Sequence, residues 1–256
     1  MGKSAYYRAL SRYLSVRQFL QSNNSIETIH VFESGRERPV ADQSLTLYVG
    51  ADFVSAFALS AFVALKEKEL PFDIVTVDLK QRDNYLPAYR DLSLTCKVPT
   101  LLHDGFALTE SSAIAEYLDE AFAHAGHKQV LPRGLKERAR ARQLQAWLRS
   151  DLLVIRQERP ADLIYFGKKD QPLSDAAKAA VERLYRVAST FLGDSGGHLF
   201  GDWSIADTDL AIMLNRLLAN GDEMPEHLAA YVRRQWSRDS VQAWVNQERV
   251  APLPAK

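Results

Sequence analysis

The chain has 256 residues, of which 46% are hydrophobic, enough for the cores of one large domain or two ordinary ones. Its 32 basic and 32 acidic residues cancel, so the basic footprint of a nucleic-acid-binding protein is absent. No run approaches the ~18 consecutive apolar residues of a membrane span, and the single cysteine, Cys96, excludes an internal disulfide framework. We therefore expect a soluble protein of a reducing compartment, the cytoplasm, with no nucleic-acid or membrane partner.

None of the six histidines has the spacing to cysteine or carboxylate residues that a metal site needs. His124 and His127 lie close together in a connection that contains alanine and glycine, which is typical of a solvated loop. The sequence therefore predicts no metal cofactor.

Residues 1–43 differ from the rest of the chain. Their basic residues precede the first acidic residue, Glu27, and several apolar residues among them could form a stripe on a helix. The basic residues are Lys3, Arg8, Arg12 and Arg17, and the apolar stripe would contain Tyr6, Leu10, Tyr13, Leu14 and Phe19. This composition resembles a transit peptide, but an unrelated extension, an upstream translation start or a short surface helix together are favoured. Residues 23–43 are mostly polar and are interpreted as a linker.

The organised part of the chain begins at residue 45. Residues 45–49 predict a strand, and Ser55 stands where serine would cap the N-terminus of a helix through residues 56–65. Residues 72–79 alternate apolar and polar side chains and predict a second strand. A polar and aromatic connection follows up to residue 95.

Residues 97–114 predict a hairpin followed by a helix. Asp104-Gly105 between short apolar runs is typical of a tight turn, which would pair residues 100–102 with 106–109. Proline cannot donate to a sheet, so Pro99 is expected at the start of the strand, with Val98 extended before it.

The main chain of Val98 could then capture an extended, peptide-like ligand. A helix that opens at Glu110 or Ser111 would offer free N–H groups to a carboxylate. A small anionic peptide fits both features. The alternative is an ordinary strand start followed by an ordinary helix cap.

The order of these elements predicts two domains. A β-α-β unit followed by β-β-α is the thioredoxin-like arrangement, expected over residues 44–125. Helical periodicity then recurs without strand signals, so residues 133–250 are expected to form an all-helical domain. Its helices are predicted at residues 138–156, 176–192, 204–218, 225–235 and 237–247. The fold class is thus α/β followed by all-α.

Ser204 and Asp207 have the spacing of a capping box at the start of the third of these helices. Each side chain can satisfy a free backbone N–H of the first turn. Loss of the Ser204 hydroxyl is expected to cost about 1 kcal/mol, and the role of the pair is structural.

The two predicted domains together resemble a cytosolic glutathione transferase. The motifs that carry this resemblance are Val98-Pro99, Glu110-Ser111 and residues 201–207. More narrowly, the sequence resembles the bacterial YfcF-type glutathione transferases at residues 110–118, 138–152 and 205–210. The first 43 residues lie outside the resemblance.

This resemblance implies glutathione as the ligand and co-substrate, with a role for each part of the motif. The Val98 main chain would hold the cysteinyl part, with Pro99 in a cis peptide bond. Glu110 and Ser111 would meet the γ-glutamyl end, and Lys97 would face the glycyl carboxylate.

Ser55 matches the position of the catalytic serine in the family's serine-dependent members, where it would stabilise the glutathione thiolate. Tyr48 is the alternative donor, although packing is the favoured role for this strand aromatic. Cys96 is interpreted as incidental, with mixed-disulfide formation as a minor hypothesis.

The resemblance also implies an electrophile pocket, in the cleft between the domains, walled by Asp52, Phe53, Leu152 and Arg156. The expected activity is conjugation of glutathione to electrophiles, glutathione-dependent peroxide reduction, or both, by a homodimer. The alternative is a non-catalytic interaction protein that reuses this fold.

Overall fold

The structure, a computed structural model, describes residues 14–15, 44–123, 126–167, 169–193 and 197–249. The stripe and linker predicted within residues 1–43 therefore lie outside the described residues, except for two residues of one strand. His124 lies outside them as well.

The chain forms two compact units, and these do not follow chain order. The first consists of Met1–Ala51 and Pro71–Glu110, and the second of Asp52–Leu70 and Ser111–Lys256. The early helix at residues 56–67 belongs to the second unit because it packs against helices that come later in the chain. The domain boundaries expected from the sequence, residues 44–125 and 133–250, stay a prediction.

The first unit is a mixed sheet whose strand order is β1-β3-β2-β4-β5. Strand β2 runs parallel to β3 and antiparallel to β4, which confirms the thioredoxin-like arrangement. The edge strand β1, which pairs with β3, was not expected from the sequence. The strands are β1 (Leu14–Ser15), β2 (Leu45–Gly50), β3 (Asp73–Val77), β4 (Thr100–His103) and β5 (Phe106–Thr109).

The turn between β4 and β5 is the predicted Asp-Gly hairpin. Asp104 and Gly105 have φ angles of 48° and 89°, as a primed two-residue turn requires. The Asp104 carboxylate accepts a hydrogen bond from the Ser44 N–H at 3.0 Å, which ties the turn to the residue before β2.

One buried cluster of the first unit lies on one face of this sheet. Tyr48, Val75 and Val77 are buried there with Tyr89, which comes from the connection between β3 and β4. The rings of Tyr48 and Tyr89 pack edge to face, with centroids 5.8 Å apart. The connection contains a 3₁₀ turn at Asp83–Tyr85 and a one-turn helix at Pro87–Arg90, neither of which was predicted.

The second unit is helical among its described residues. Helix α7 is buried along nearly its whole length and packs against α1, α3 and α8. The helices are α1 (Ala56–Glu67), α2 (Ser111–Ala121), α3 (Leu135–Ser150), α4 (Leu153–Glu158), α5 (Leu163–Phe166), α6 (Asp175–Leu192), α7 (Ile205–Asn220), α8 (Glu226–Trp236) and α9 (Asp239–Val245). None of these described helices has the length and apolar character needed to cross a bilayer.

The prediction of one helix over residues 138–156 was wrong, because the chain breaks at Asp151 and Leu152 into α3 and α4. The Arg156 guanidinium donates to the carbonyls of Leu148 and Arg149, at 2.8 Å each. These carbonyls lie in the last turn of α3, where intrahelical donors are missing. The apolar periodicity continues across the break, so the pattern did not indicate it.

The capping box at the start of α7 is confirmed. The Asp207 carboxylate accepts from the Ser204 N–H at 2.9 Å. It also accepts from the Leu199 N–H at 2.9 Å and from the Tyr231 hydroxyl at 3.0 Å. Asp207 therefore joins three parts of the second unit, which is more than a local cap.

Candidate functional site

The loop before β4 presents the Val98 main chain. The Val98–Pro99 peptide bond is cis, in agreement with the expectation. Val98 is half-buried, and its N–H and C=O make no hydrogen bond to another residue of the described chain. These two groups remain free to pair with an extended ligand.

Side chains of the preceding connection hold this loop by its carbonyl groups. The Tyr89 hydroxyl donates to the Lys97 carbonyl at 2.8 Å, and the Ser93 hydroxyl donates to it at 3.2 Å. The Asn84 amide donates to the Cys96 carbonyl at 2.8 Å. The two residues before Val98 are therefore held in place by hydrogen bonds from buried side chains.

Tyr89 is the functional candidate that the sequence reasoning missed. Only 1% of it is exposed, and its hydroxyl also lies 2.9 Å from the Thr100 hydroxyl at the start of β4. Burial raises the pKa of Tyr89, so the phenol stays protonated and can donate. No periodicity marks this residue, because it lies in an irregular connection.

Glu110 and Ser111 lie where β5 passes into α2. Glu110 is exposed, with a φ of 71°, a left-handed conformation that costs a non-glycine residue on the order of 1 kcal/mol. Ser111 is the first residue of α2 and is 2% exposed. Its hydroxyl accepts a hydrogen bond from Arg149 at 2.9 Å, a partner that the sequence did not suggest.

Ser55 caps the N-terminus of α1, as predicted. Its hydroxyl oxygen accepts from the Ala58 N–H at 3.2 Å, and the side chain is half-buried. A hydroxyl has one hydrogen to donate as well as lone pairs to accept. The capping bond therefore leaves the Ser55 O–H available to another acceptor.

Tyr48 and Cys96, the other two residues considered as catalytic candidates in the sequence, have different surroundings from Ser55. Tyr48 is buried in the sheet core, and burial, followed by the nearby Tyr89, raises the pKa of Tyr48 to about 12. This environment favours the packing role. Cys96 is a half-buried free cysteine with a φ of 52°. Lys97, next to it, is exposed.

The four residues expected around the electrophile do not share one open surface. Leu152 is fully buried, and Phe53 is buried with its ring 5.2 Å from that of Trp244. The Asp52 carboxylate accepts from the Val54 N–H at 3.3 Å within its own loop. Of the four, Arg156 alone lines the small cavity described next.

This cavity lies beside the first turn of α1 within the second unit. Ala56 and Phe57 form one wall, and the apolar part is completed by Leu148, Ile212 and Met213. Its polar lining consists of Arg149, Arg156, Arg216 and Asp209. The sequence reasoning found only Arg156 among these, because the others come from two helices far apart in the chain.

Among the described residues, no group of three or more histidine, cysteine, aspartate or glutamate side chains could hold a metal ion.

Two family models match the chain. Residues 54–121 match the N-terminal domain of glutathione S-transferases, and residues 134–249 match the C-terminal domain. Glutathione S-transferase U22 of Arabidopsis thaliana is 30% identical over 194 residues, which cover 73% of this chain and 84% of the relative.

Solved structures give the same family. A glutathione transferase homolog from Burkholderia GL BGR1, with bound glutathione, is 52% identical, with a TM-score of 0.66, over 79% of this chain and 96% of its own. Rice GST1 in complex with glutathione is 27% identical, with a TM-score of 0.62, over 79% of this chain and 90% of its own.

Proposed function

Since this chain belongs to the glutathione S-transferase family, we propose that it uses the thiolate of glutathione to attack a small electrophile. In conjugation, the sulfur forms a bond to an electrophilic carbon, and a leaving group such as chloride departs with its electron pair.

We propose hydroperoxide reduction as a second reaction of the same thiolate. There the sulfur attacks the terminal peroxide oxygen, the O–O bond breaks and the alkoxide leaves as the alcohol after protonation. The thiol of a second glutathione then attacks the sulfenic acid, which gives the disulfide and releases water.

The observation that carries this proposal is the geometry of Ser55. Its oxygen accepts from the Ala58 N–H, which polarises the hydroxyl and leaves its hydrogen for a thiolate. The start of α1 adds the positive end of a helix dipole. Thiols are poor nucleophiles until they ionise, so a thiolate-stabilising group is the central requirement of the reaction.

The energies are sufficient for this role. Lowering a thiol pKa by about two units requires about 2.7 kcal/mol of preference for the thiolate. A hydrogen bond to a charged acceptor contributes about 1.5 to 3 kcal/mol, and a helix N-terminus contributes about 0.3 to 1 kcal/mol. One hydroxyl and one helix end together meet the requirement.

We propose that glutathione itself is held by residues 97–99 and by Glu110 and Ser111. The free N–H and C=O of Val98 fit the cysteinyl main chain, and the exposed Lys97 fits the glycyl carboxylate. The first N–H groups of α2 lack intrahelical partners and suit the γ-glutamyl carboxylate. This assignment is supported by the similarity to the Burkholderia and rice proteins, whose structures contain glutathione.

We also propose that the chain is a homodimer, belongs to the YfcF-type branch and acts in the cytoplasm. Light scattering of the purified chain coupled to size exclusion tests the first point. A mass of one chain, 28.8 kDa, would contradict it.

The test of function compares two variants of Ser55 with a control on the same helix. Ser55→Asp keeps an N-cap side chain but, when ionised, offers no O–H, and Ser55→Ala loses both. We expect kcat/KM with glutathione and chlorodinitrobenzene to fall about 10²-fold in both variants. Ser60→Ala removes another hydroxyl of α1, which is buried and has no hydrogen-bond partner among the described residues, and it should leave kcat/KM unchanged.

The pH dependence of kcat/KM is an independent test of the role of Ser55. If Ser55 stabilises the thiolate, the apparent pKa of kcat/KM should rise by about two units in Ser55→Ala. Unchanged turnover and an unchanged profile would contradict the role of Ser55. Absence of turnover by the unmodified chain, with chlorodinitrobenzene and with organic hydroperoxides, would contradict the enzymatic proposal.

A further inference from the structure

The cavity beside α1 has the wrong charge balance for a purely apolar substrate site. Three of its lining side chains are the arginines Arg149, Arg156 and Arg216, and one is the carboxylate Asp209. Its volume is about 20 Å³, which is room for one water molecule or one oxygen of an acid group. The cavity therefore fits the acidic end of a ligand rather than its whole body.

The single carboxylate is already engaged. Asp209 accepts from Arg149 at 3.2 Å and from the Gln145 amide at 2.7 Å. Arg149 uses its remaining described bonds on the Ser111 hydroxyl and the Gln145 carbonyl. Arg149 and Asp209 thus neutralise each other and leave the other two arginines without a carboxylate in the cavity lining.

Among the described residues, Arg156 and Arg216 donate hydrogen bonds only to neutral groups. Both described bonds of Arg156 go to main-chain carbonyls of α3. Arg216 is 5% exposed and donates from Nη1 to the Arg159 carbonyl at 3.1 Å, and its buried Nε has no hydrogen-bond partner in the described part of the chain. A buried cation with an unsatisfied donor is costly unless an anion pairs with it.

Mutual repulsion of the arginines is consistent with this imbalance. Burial and then Arg156 lower the pKa of Arg216 to about 10. Burial and then Arg149 lower the pKa of Arg156. Asp162 acts on Arg216 in the opposite direction, but it does not line the cavity. With a pKa of about 10, Arg216 remains charged at neutral pH, so an anion in the cavity would relieve the repulsion between it and Arg156.

The cavity is also lined by residues that are neighbours of Ser55 in the sequence. Ala56 and Phe57, which form its wall, directly follow Ser55 in α1. Phe57 is 40% exposed, and Arg149 lies 5.6 Å from the centre of its ring. An acid oxygen in the cavity would leave the body of the molecule against Phe57, two residues after Ser55 in the chain.

We propose that the preferred second substrate is an electrophile with a carboxylate or similar acid group, which Arg156 and Arg216 bind while the reactive carbon faces the thiolate. This inference rests on the proposed function. The acid group takes no part in bond making, because the sulfur–carbon bond forms and the leaving group departs elsewhere on the substrate.

The test uses a matched pair of substrates, a chlorodinitrobenzoate and its methyl ester, at saturating glutathione. The measured quantity is the ratio of kcat/KM for the acid to that for the ester. We expect Arg156→Gln to lower this ratio about tenfold or more, as loss of a bond to a charged acceptor predicts. Arg156→Lys, which keeps the charge, should recover part of it, and the exposed Arg140→Gln on α3 should leave it unchanged.

A second measurement needs no variant. Raising the ionic strength should raise the KM of the unmodified protein for the benzoate and not for the ester, because salt screens a charge interaction. A ratio that is the same in the unmodified protein and in Arg156→Gln would overturn the inference and leave the proposed function intact. The inference would also be overturned if Arg156→Gln raised the KM for glutathione equally with both substrates, because the arginines would then bind glutathione itself.

If neither compound is turned over, calorimetry still decides this inference, whereas the proposed function is decided by chlorodinitrobenzene and the organic hydroperoxides. Binding of the benzoate that is lost in Arg156→Gln would uphold the anion site. No binding to the unmodified protein would overturn it.

Discussion

The hydroxyl of Tyr89 lies 2.8 Å from the carbonyl oxygen of Lys97 and donates to it. This bond fixes the residue just before Val98, whose main chain is proposed to bind glutathione. Tyr89 touches no proposed ligand group, so it acts as a positioning residue through the loop it holds.

Removal of this hydroxyl tests the positioning role. We expect Tyr89→Phe to lower the free energy of unfolding by about 1 kcal/mol and to raise the KM for glutathione several-fold, with a smaller effect on kcat. Urea denaturation and steady-state kinetics give the two values. The exposed Tyr85→Phe is the matched control, and an unchanged KM in a destabilised Tyr89→Phe would show that Tyr89 serves stability alone.

Tyr48 is expected to affect stability at alkaline pH and not catalysis. The pKa of Tyr48 is raised to about 12 in the folded protein, against about 10 when unfolded. The unfolded state therefore loses this proton first, so the contribution of Tyr48 is complete below pH ~10 and is lost as pH rises towards ~12. Tyr48→Phe should lose less stability than the unmodified protein over this interval.

The same variant separates the two candidate hydroxyls. Turnover by Tyr48→Phe at neutral pH should stay within about twofold of that of the unmodified protein. The reason is that the Tyr48 phenol is buried in the sheet core and is not proposed to contact the ligand. Loss of turnover in Tyr48→Phe, together with normal activity in Ser55→Ala, would reverse the assignment of the thiolate donor.

Two lysines allow the contribution of a buried ion pair to stability to be compared with that of an exposed one. Lys68 is fully buried and donates to Asp119 at 3.1 Å, whereas Lys128 pairs with Glu69 at 3.2 Å on the surface. Lys68→Met leaves the buried Asp119 carboxylate with only the more distant of its two described cations, Arg138 at 3.6 Å, and should cost about 3 kcal/mol. Lys128→Met should cost no more than about 1 kcal/mol. Chemical denaturation checks both values, and equal costs would contradict the argument from burial.

The capping box of α7 should show a difference between its two members. Ser204→Ala should cost about 1 kcal/mol, as the sequence alone predicts. Asp207→Ala should cost clearly more, about 3 kcal/mol, because it leaves the buried N–H groups of Leu199 and Ser204 without their carboxylate acceptor and leaves the Tyr231 hydroxyl only the carbonyl of residue 207. Equal effects in thermal or urea unfolding would mean that the bonds to Leu199 and Tyr231 contribute little.

The sequence by itself determined the features that depend on neighbouring residues. The Ser55 cap, the Asp104-Gly105 turn and the Ser204 box each involve groups within three positions of one another, so local chemistry is enough to predict them. The order of strands and helices followed from periodicity, and the resemblance in the Val98 and Glu110 regions supplied the family.

Only the tertiary structure revealed the groups that surround these features. Arg149 and Ser111 are 38 positions apart, and Arg216 reaches the same cavity from a third helix, so no local pattern could pair them. The break between α3 and α4 was equally hidden, because Arg156 stabilises it by folding back onto carbonyls of the preceding helix. Such interactions form only when packing brings distant segments together, and packing here decides the charge of the proposed substrate site.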